Sequence, residues 1–243
     1  MPRMSRDGKT LAGQTALVTG GARRVGRAIV EELARAGCRV VIHHASSDAD
    51  AAALAAALTD AVVIKADLRA RDAARAVVDA ALAATGRLDI LVNSAAGYAR
   101  TPLATLDDDR WDDLMALNLA APMRLMREAS RVGVSSIVNL VDVAAWQPWP
   151  GWSAYAASKA ALLHLSRCLA LELAPRTRVN CIAPGTVIFP DDWDDARRAA
   201  QLRKVPLGRE GAPADVARAA RFLCEERYLT GICVPVDGGA GLR

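Results

Sequence analysis

Tyr155 and Lys159 stand four positions apart in a segment with helical character, and their types suggest chemistry. Side chains with this spacing share one face of a helix, so we expect the ammonium group to lie near the phenol. A nearby positive charge lowers the pKa of a tyrosine from its usual value of about 10. Such a phenol can supply a proton to an atom that gains negative charge when it accepts a hydride. The pair therefore predicts acid catalysis in a hydride-transfer reaction.

A glycine-rich turn near the amino terminus predicts a second functional site. Residues 19–26 read TGGARRVG and join an apolar strand at 15–19 to an amphipathic helix at 25–36. Glycines permit a tight turn there, and the backbone N–H groups at the start of a helix attract a pyrophosphate. Because the turn follows the first strand of a strand–helix–strand unit, we interpret it as a dinucleotide site that uses Gly20, Arg24 and Val25.

The end of the second strand indicates which dinucleotide binds. Residues 43–47 read HHASS, and no carboxylate precedes Asp48 to bond a ribose 2′-hydroxyl. His43, Ser46 and Ser47, with the nearby Arg24, offer donors that suit a 2′-phosphate, so the sequence favours NADP(H) over NAD. The alternative is that Ser46 or Ser47 only caps the following helix.

These residues must be positioned by regular elements, and the composition favours an α/β fold. The chain has 243 residues with 52% hydrophobic content and no mid-chain linker, so we expect one domain over residues 1–243. Strands are predicted at 15–19, 39–43, 61–65, 88–93, 136–141, 178–182 and 233–236. Helices are predicted at 25–36, 48–58, 71–85, 107–120, 122–131, 155–173 and 213–223. This alternation predicts a doubly wound parallel sheet, and residues 186–206, which lack a clear period, are the candidate for a mobile lid.

Charge and cysteine content exclude several classes of function. The net charge is +4, but basic and acidic residues are interspersed, so a nucleic-acid partner is not expected. No apolar run reaches the ~18 residues of a membrane helix. The five cysteines show no Cys-x-x-Cys spacing and lie in apolar segments. We expect free thiols, no metal site, no membrane partner and a cytoplasmic protein that acts on a small molecule.

Five motifs in order resemble the short-chain dehydrogenase/reductase family over nearly the whole chain. They are the turn at 19–26, NSAAG at 93–97, YAASK at 155–159, RVNCIAPG at 178–185 and VDGG at 236–239. The resemblance implies a Rossmann-like sheet with helices on both faces, assembled as a homotetramer.

The resemblance also implies roles for further residues. Lys159 would bond the nicotinamide ribose beside Tyr155, and Asn93 would steady the sheet next to the cofactor. Asn118 would hold a water molecule for proton relay, although it is alternatively an ordinary polar residue of its helix. Further cofactor contacts would come from Asp67 and Leu68 at the adenine and from Pro184, Gly185 and Val187 after the sixth strand.

One departure from the family pattern narrows the prediction. Most members carry a serine thirteen residues before the tyrosine, whereas this chain has Asp142. An ionised carboxylate cannot donate a hydrogen bond to a ketone oxygen and repels a developing alkoxide, so it suits a substrate that gains a proton on nitrogen. The same aspartate is similar to that of the pteridine reductases, in which an aromatic residue, here Tyr98, stacks the pterin against the nicotinamide.

We therefore predict NADPH-dependent reduction of a dihydropterin, dihydromonapterin or dihydrofolate. Asp142, Tyr155, Lys159 and Asn118 form the catalytic set of this prediction, and Arg24 and Tyr98 bind the substrate together with Asp142 and Tyr155. The alternative is a carbonyl reductase for a ketone such as a 3-oxoacyl thioester, and a third reading is a cofactor-sensing protein without turnover. Ala96 and Gly97 replace serines of the pteridine reductases, and Ser46 replaces an arginine. Four tryptophans line either the substrate entrance or a subunit contact: Trp146, Trp149, Trp152 and Trp193.

Overall fold

The β-rich apolar segments form seven strands in the computed structural model, which describes residues 10–190 and 193–242. They are β1 (Thr15–Thr19), β2 (Arg39–His44), β3 (Val62–Lys65), β4 (Ile90–Asn93), β5 (Ser136–Leu140), β6 (Arg178–Pro184) and β7 (Cys233–Val236). The strands make one sheet in the order β3-β2-β1-β4-β5-β6-β7, and every pairing is parallel. The prediction of an α/β fold with a doubly wound, Rossmann-like parallel sheet is confirmed.

Helices cover both faces of the sheet. They are α1 (Arg24–Arg35), α2 (Asp48–Ala57), α3 (Ala73–Thr85), α4 (Asp108–Met115), α5 (Ala121–Arg131), α6 (Ser153–Glu172), α7 (Asp195–Leu202) and α8 (Pro213–Glu225). Side chains alternate along each strand, so Ala16 and Val18 of β1 pack with α1, α2 and α8 on one face. Leu17 points the other way and packs with α3, α5 and α6. Strands buried on both faces explain the continuous apolar runs in the sequence.

Two predicted segments differ from the structure. The helices predicted at 107–120 and 122–131 are one helical run, in which a single π-helical turn at Ala116–Ala120 joins α4 to α5. The segment 186–206, predicted without a helical period, contains α7, because the Asp194 carboxylate accepts a hydrogen bond from the backbone N–H of Arg197 at 2.7 Å and caps the helix start. Asp191 and Asp192 of this segment lie outside the described residues.

The strand order places a crevice at one edge of the sheet. From β1 the next strands are added towards one edge of the sheet, and from β4 they are added towards the other. In such sheets, ligands bind at this switch point, outside the carboxyl ends of the strands. The turn after β1, the segment after β4 and the residues that follow β5 and β6 all lie at this edge. No helix within residues 10–190 and 193–242 combines the length and apolarity that a membrane span requires.

Candidate active site

The glycine-rich turn after β1 brings the backbone close to neighbouring segments. A Cβ atom on Gly20 would lie 2.9 Å from the Cα atom of Ala95, and one on Gly26 would lie 2.1 Å from the Gly20 carbonyl oxygen. Arg24, the first residue of α1, has a φ of +50°, a left-handed conformation that costs a non-glycine residue about 1–2 kcal/mol. No side chain caps the start of α1, so its first backbone N–H groups face the crevice as donors for an anion.

His43 has a different role from the one predicted. Its ring is buried, Nδ1 accepts a hydrogen bond from the backbone N–H of Gly20 at 3.3 Å, and Nε2 lies 3.1 Å from the carbonyl oxygen of Ala66. Burial is the main cause that lowers the pKa of His43 to about 4, so the ring is neutral. Because both ring nitrogens are engaged, the prediction that His43 offers a donor to a phosphate is wrong; the ring instead fixes the glycine-rich turn.

The segment after β2 carries two hydroxyl groups near the surface, and its carboxylate, Asp48, forms a salt bridge with Lys65. Ser46 is exposed, and Ser47 occupies the position before α2 without making a side-chain capping bond. Capping is therefore not the role of Ser47 in this structure. Asp48 accepts hydrogen bonds from Lys65 Nζ at 2.8 and 2.9 Å, and this partner lowers the pKa of the carboxyl group. The Ser46 and Ser47 hydroxyls are thus available at the end of β2 for a ligand.

Asp67, Leu68 and Asn93 lie at the same edge of the sheet. Asp67 is exposed and accepts hydrogen bonds from Arg69, which lowers the pKa of the carboxyl group, whereas Leu68 is buried in the core. Asn93 ends β4, and its side-chain nitrogen donates to Asn139 Oδ1 at 2.7 Å. Its side-chain oxygen is buried and has no hydrogen-bond partner among the described residues. Asn93 thus ties β4 to β5, as the predicted role requires.

Asn118 lies in the π-helical turn and is completely buried. Its side-chain oxygen accepts from the backbone N–H of Gly97 at 2.8 Å, and its side-chain nitrogen donates to the Gly97 carbonyl oxygen at 3.0 Å and to Ser158 Oγ at 3.1 Å. Ser158 Oγ donates in turn to the carbonyl oxygen of Tyr155 at 2.7 Å. Sequence reasoning missed Ser158, which stands inside the YAASK motif and joins the catalytic helix to the segment that carries Tyr98.

Asp142, Tyr155 and Lys159 come together beyond the end of β5. The Tyr155 hydroxyl donates to Asp142 Oδ2 at 2.8 Å, and Asp142 Oδ1 accepts from the backbone N–H of Ala144 at 2.8 Å. Lys159 Nζ donates to the Leu140 carbonyl oxygen at 2.8 Å and lies 5.8 Å from the centroid of the Tyr155 ring. Tyr155 and Lys159 are buried.

The pKa of Tyr155 contradicts the expectation from the spacing of the pair. Burial, and then the charge of Asp142, raise the pKa of Tyr155 well above 10, so the phenol keeps its proton. Lys159 does not lower it, because the ammonium group lies beside the ring and bonds a backbone carbonyl group, whereas Asp142 contacts the hydroxyl directly. Burial raises the pKa of Asp142 and lowers that of Lys159 to about 8.

Aromatic side chains pack around the Tyr155 ring. The Tyr98 ring stacks on Trp152 with centroids 4.3 Å apart and meets Tyr155 edge-on at 5.0 Å. Trp149 packs edge-on against Trp152. Tyr98 remains about half exposed (53%), so part of its surface faces the crevice. Trp149 and Trp152 thus lie beside Tyr98 and Tyr155, where either predicted role, substrate entrance or subunit contact, stays a prediction.

The remaining predicted cofactor residues follow β6. Pro184 ends the strand, and the backbone N–H of Gly185 donates to the Val236 carbonyl oxygen at 3.0 Å. A Cβ atom on Gly185 would lie 2.7 Å from that of Asp237, so this glycine permits the close approach of two segments. Val187 is buried against the core. The chain then passes to α7, whose Arg197 sequence reasoning did not single out.

Comparisons with known proteins agree with this geometry. The family model described as enoyl-(acyl carrier protein) reductase matches residues 20–241. Pteridine reductase 1 of Leishmania tarentolae is 35% identical, with 93% of this chain and 96% of that protein covered. The 3-oxoacyl-[acyl-carrier-protein] reductase FabG of Staphylococcus aureus is 31% identical, with 93% and 97% covered. The crystal structure of FolM alternative dihydrofolate reductase 1 from Brucella canis, complexed with NADP, has a TM-score of 0.91 and 34% identity over 97% of this chain and 96% of that one.

Proposed function

The chain belongs to the short-chain dehydrogenase/reductase family, and we propose that it reduces a pteridine-type substrate, a dihydropterin, dihydromonapterin or dihydrofolate. The observation that carries the proposal is the hydrogen bond of 2.8 Å from the Tyr155 hydroxyl to Asp142. A carboxylate in this place suits a ring nitrogen that gains a proton better than a ketone oxygen that gains negative charge. Pteridine reductase 1 and FolM, both similar over more than nine-tenths of this chain, support the substrate class.

NADP(H) is the cofactor, and when bound it supplies the hydride. The residues present fit this group. The uncapped start of α1 and Arg24 would hold the pyrophosphate, and the Ser46 and Ser47 hydroxyls would bond the 2′-phosphate. Further contacts that we propose come from Gly20, Val25, Asp67, Leu68, Asn93, Tyr155, Lys159, Pro184, Gly185 and Val187. His43 would act through the glycine-rich turn that it fixes.

Tyr98 and Arg24 would bind the substrate ring. A flat ring stacked on the exposed side of Tyr98 would lie close to Tyr155, because the centroids of the two tyrosine rings are 5.0 Å apart. Aromatic stacking contributes roughly 0.5–1.5 kcal/mol beyond the burial of the surface. Arg24, at the start of α1, would contact an oxygen of the ring.

The chain holds the transferred proton at the Tyr155 hydroxyl. The raised pKa of Tyr155 keeps this proton in place, and Asp142 orients it. A ring nitrogen that binds beside Tyr155 and Asp142 takes up the proton of the Tyr155 hydroxyl. Asp142, whose pKa is also raised by burial, would then return a proton to the Tyr155 oxygen. Lys159 holds its positive charge beside the Tyr155 ring. Asn118 would position the water molecule that supplies the replacement proton.

A carbonyl reductase for a 3-oxoacyl thioester or similar ketone is the second candidate. The FabG relative and the apolar cover of Trp149 and Trp152 favour it. In this case Tyr155 would donate its proton to the ketone oxygen, and Asp142 would be tolerated rather than used.

We also propose that the chain acts as one domain, as a homotetramer in the cytoplasm, with residues 186–206 as a lid over the substrate. Light scattering coupled to size exclusion chromatography tests the assembly.

The described cysteines are free thiols. Burial raises the pKa values of four of them to about 11 or 12, so these thiols are protonated and unreactive.

The proposal is tested by NADPH oxidation with dihydrobiopterin, dihydromonapterin, dihydrofolate and a 3-oxoacyl thioester. We expect turnover of at least one pterin and preference for NADPH over NADH. The Asp142→Ser variant should lose pterin turnover while its NADPH affinity is retained. Turnover of the ketone alone, improved in Asp142→Ser, would establish the carbonyl reductase instead. Full pterin reduction by Asp142→Ser would remove Asp142 from the proposed mechanism. NADPH binding without any turnover would support the third reading, a cofactor-sensing protein.

A further inference from the structure

Helix α7 places a cation at the carboxyl edge of the sheet. Gln201 of this helix donates to Thr186 Oγ1 at 3.2 Å, which ties α7 to the residues immediately after β6. Arg197 is exposed on the same helix, and the carbon at the centre of its guanidinium group lies 4.2 Å from the centroid of the Trp193 ring. Trp193 packs in turn on Phe189, with centroids 5.6 Å apart. The guanidinium group therefore rests on a rigid aromatic support.

The charge of Arg197 is directed at the substrate side of the site. In residues 10–190 and 193–242, no carboxylate forms a salt bridge with this guanidinium group. Asp194, at the start of the helix, accepts a hydrogen bond from the backbone N–H of Arg197 and not from its guanidinium group. The positive charge acts on Tyr98, where it lowers the pKa and opposes the larger effect of burial, which raises it to about 12. Tyr98 is the residue that we assign to the substrate ring.

We propose that Arg197 is a specificity-determining residue that binds an anionic group on the tail of the substrate, beyond the ring held by Tyr98. This inference rests on the proposed function for the identity of the ring. The cation–π contact with Trp193 stabilises the guanidinium group and limits the side-chain entropy that is lost when the anion binds. A guanidinium group with no carboxylate partner can bond two oxygens of a carboxylate or phosphate in parallel.

The anion has two chemical sources, which depend on the ring. For a pteridine substrate it is the carboxylate of a folate-like tail. For a ketone substrate it is the phosphate of a carrier that forms the thioester. Both present at least two anionic oxygens to the same guanidinium group, so Arg197 discriminates charged from uncharged tails in either case.

The test compares substrates that share a ring and differ in tail charge. Steady-state kinetics at saturating NADPH are measured for dihydrofolate, for its dimethyl diester and for dihydrobiopterin. The variants are Arg197→Gln, Arg197→Lys and Arg176→Gln. Arg176 is an exposed arginine beyond the end of α6, at the opposite edge of the sheet, so its variant is a control for the loss of one surface charge.

We expect Arg197→Gln to raise the KM for dihydrofolate about fivefold with kcat nearly unchanged, because the interaction is charge-assisted but exposed. The KM values for the diester and for dihydrobiopterin should stay at the wild-type level. The KM of Arg197→Lys for dihydrofolate should lie between those of the wild type and Arg197→Gln, and the KM of Arg176→Gln should match that of the wild type. An unchanged KM for dihydrofolate, or an equal rise for the diester, would overturn the proposal for Arg197.

A second pair of substrates separates this proposal from the proposed function. If the wild type reduces no pterin but reduces a 3-oxoacyl coenzyme A thioester, the function is wrong and Arg197 is judged on that substrate. The KM for the coenzyme A thioester should then rise in Arg197→Gln, whereas the KM for the uncharged N-acetylcysteamine thioester should not. Turnover of neither pair overturns both proposals.

Discussion

The nucleotide half and the substrate half of the crevice are built in different ways. In the nucleotide half, backbone atoms of the turn after β1 approach each other closely around Gly20 and Gly26, and the buried ring of His43 holds the turn. In the substrate half, Tyr98, Trp152 and Arg197 come from segments outside the strands and remain partly or fully exposed. The nucleotide half therefore has little freedom to change shape, whereas side chains in the substrate half can be substituted without disturbing the sheet.

The largest effect should follow from crowding the rigid half. Gly26→Ala places a Cβ atom 2.1 Å from the Gly20 carbonyl oxygen, a backbone atom that cannot move without opening the turn. We expect a loss of at least about 3 kcal/mol in the free energy of unfolding in urea, together with loss of NADPH binding. Gly133→Ala is the control, because a Cβ atom there meets nothing within 4 Å and its positive φ costs only about 1 kcal/mol. Equal stability of the two variants would show that the turn is less constrained than its geometry indicates.

Removal of one hydroxyl in the substrate half should affect the reaction and leave the rigid half intact. Tyr155→Phe is expected to lower kcat about 10²- to 10⁴-fold, because it deletes the proton donor, while the Kd for NADPH changes little. Tyr98→Phe keeps the stacked ring and removes a hydroxyl outside the proton path, so its kcat should stay near that of the wild type. Similar kcat values for the two variants would assign the proton to another group.

The buried histidine of the nucleotide half should make stability depend on pH. The pKa of His43 is about 4 in the folded chain and about 6.5 in the unfolded chain, so the unfolded state binds the extra proton between these values. Stability should therefore fall as the pH falls through this window, by about 2 kcal/mol between pH 7 and pH 5. His43→Gln should lose this part of the pH dependence, whereas His164→Gln, at an exposed position, should retain it.

Lys159, which we propose to contact both cofactor and Tyr155, should set the alkaline limit of activity. The pKa of Lys159 is about 8 in the free enzyme, so its positive charge is present below this pH and lost as the pH rises through it. We expect kcat/KM for NADPH, which reports on the free enzyme, to fall about tenfold per pH unit above this value. Lys159→Arg should move the decline to higher pH even if its activity is lower. A profile that stays flat in the wild type would remove Lys159 from this role.

The smallest effect should separate stability from binding at a single position. Arg24 adopts a φ of +50°, so Arg24→Gly relieves strain and should raise the free energy of unfolding by about 1 kcal/mol. The same variant should weaken NADPH binding, because it removes a positive charge from the start of α1. If stability and affinity both fall, the side chain of Arg24 contributes more to the fold than its strained backbone costs.

Local pattern was sufficient for the parts of the molecule that depend on near neighbours in the chain. The apolar strands, the glycine-rich turn and the shared face of Tyr155 and Lys159 follow from spacing alone. The helix α7 was missed although its signal was present, since Asp194 and Asp195 are typical residues for a helix start. The π-helical turn at Ala116–Ala120 has no comparable local signal, because its side chains are fixed by contacts with Gly97 and Ser158.

The sequence by itself determined the order of strands and helices, the site of the dinucleotide turn and the shared face of Tyr155 and Lys159, because periodicity and turn chemistry act over a few residues. Asp142 was identified by the resemblance to the family. The tertiary structure decided what those side chains experience. It turned His43 inward to hold Gly20, placed Tyr98 on Trp152, and set the pKa of Tyr155 above its usual value instead of below it. Burial and charge contacts depend on residues far apart in the chain, and their energies exist only once the sheet has brought those residues together.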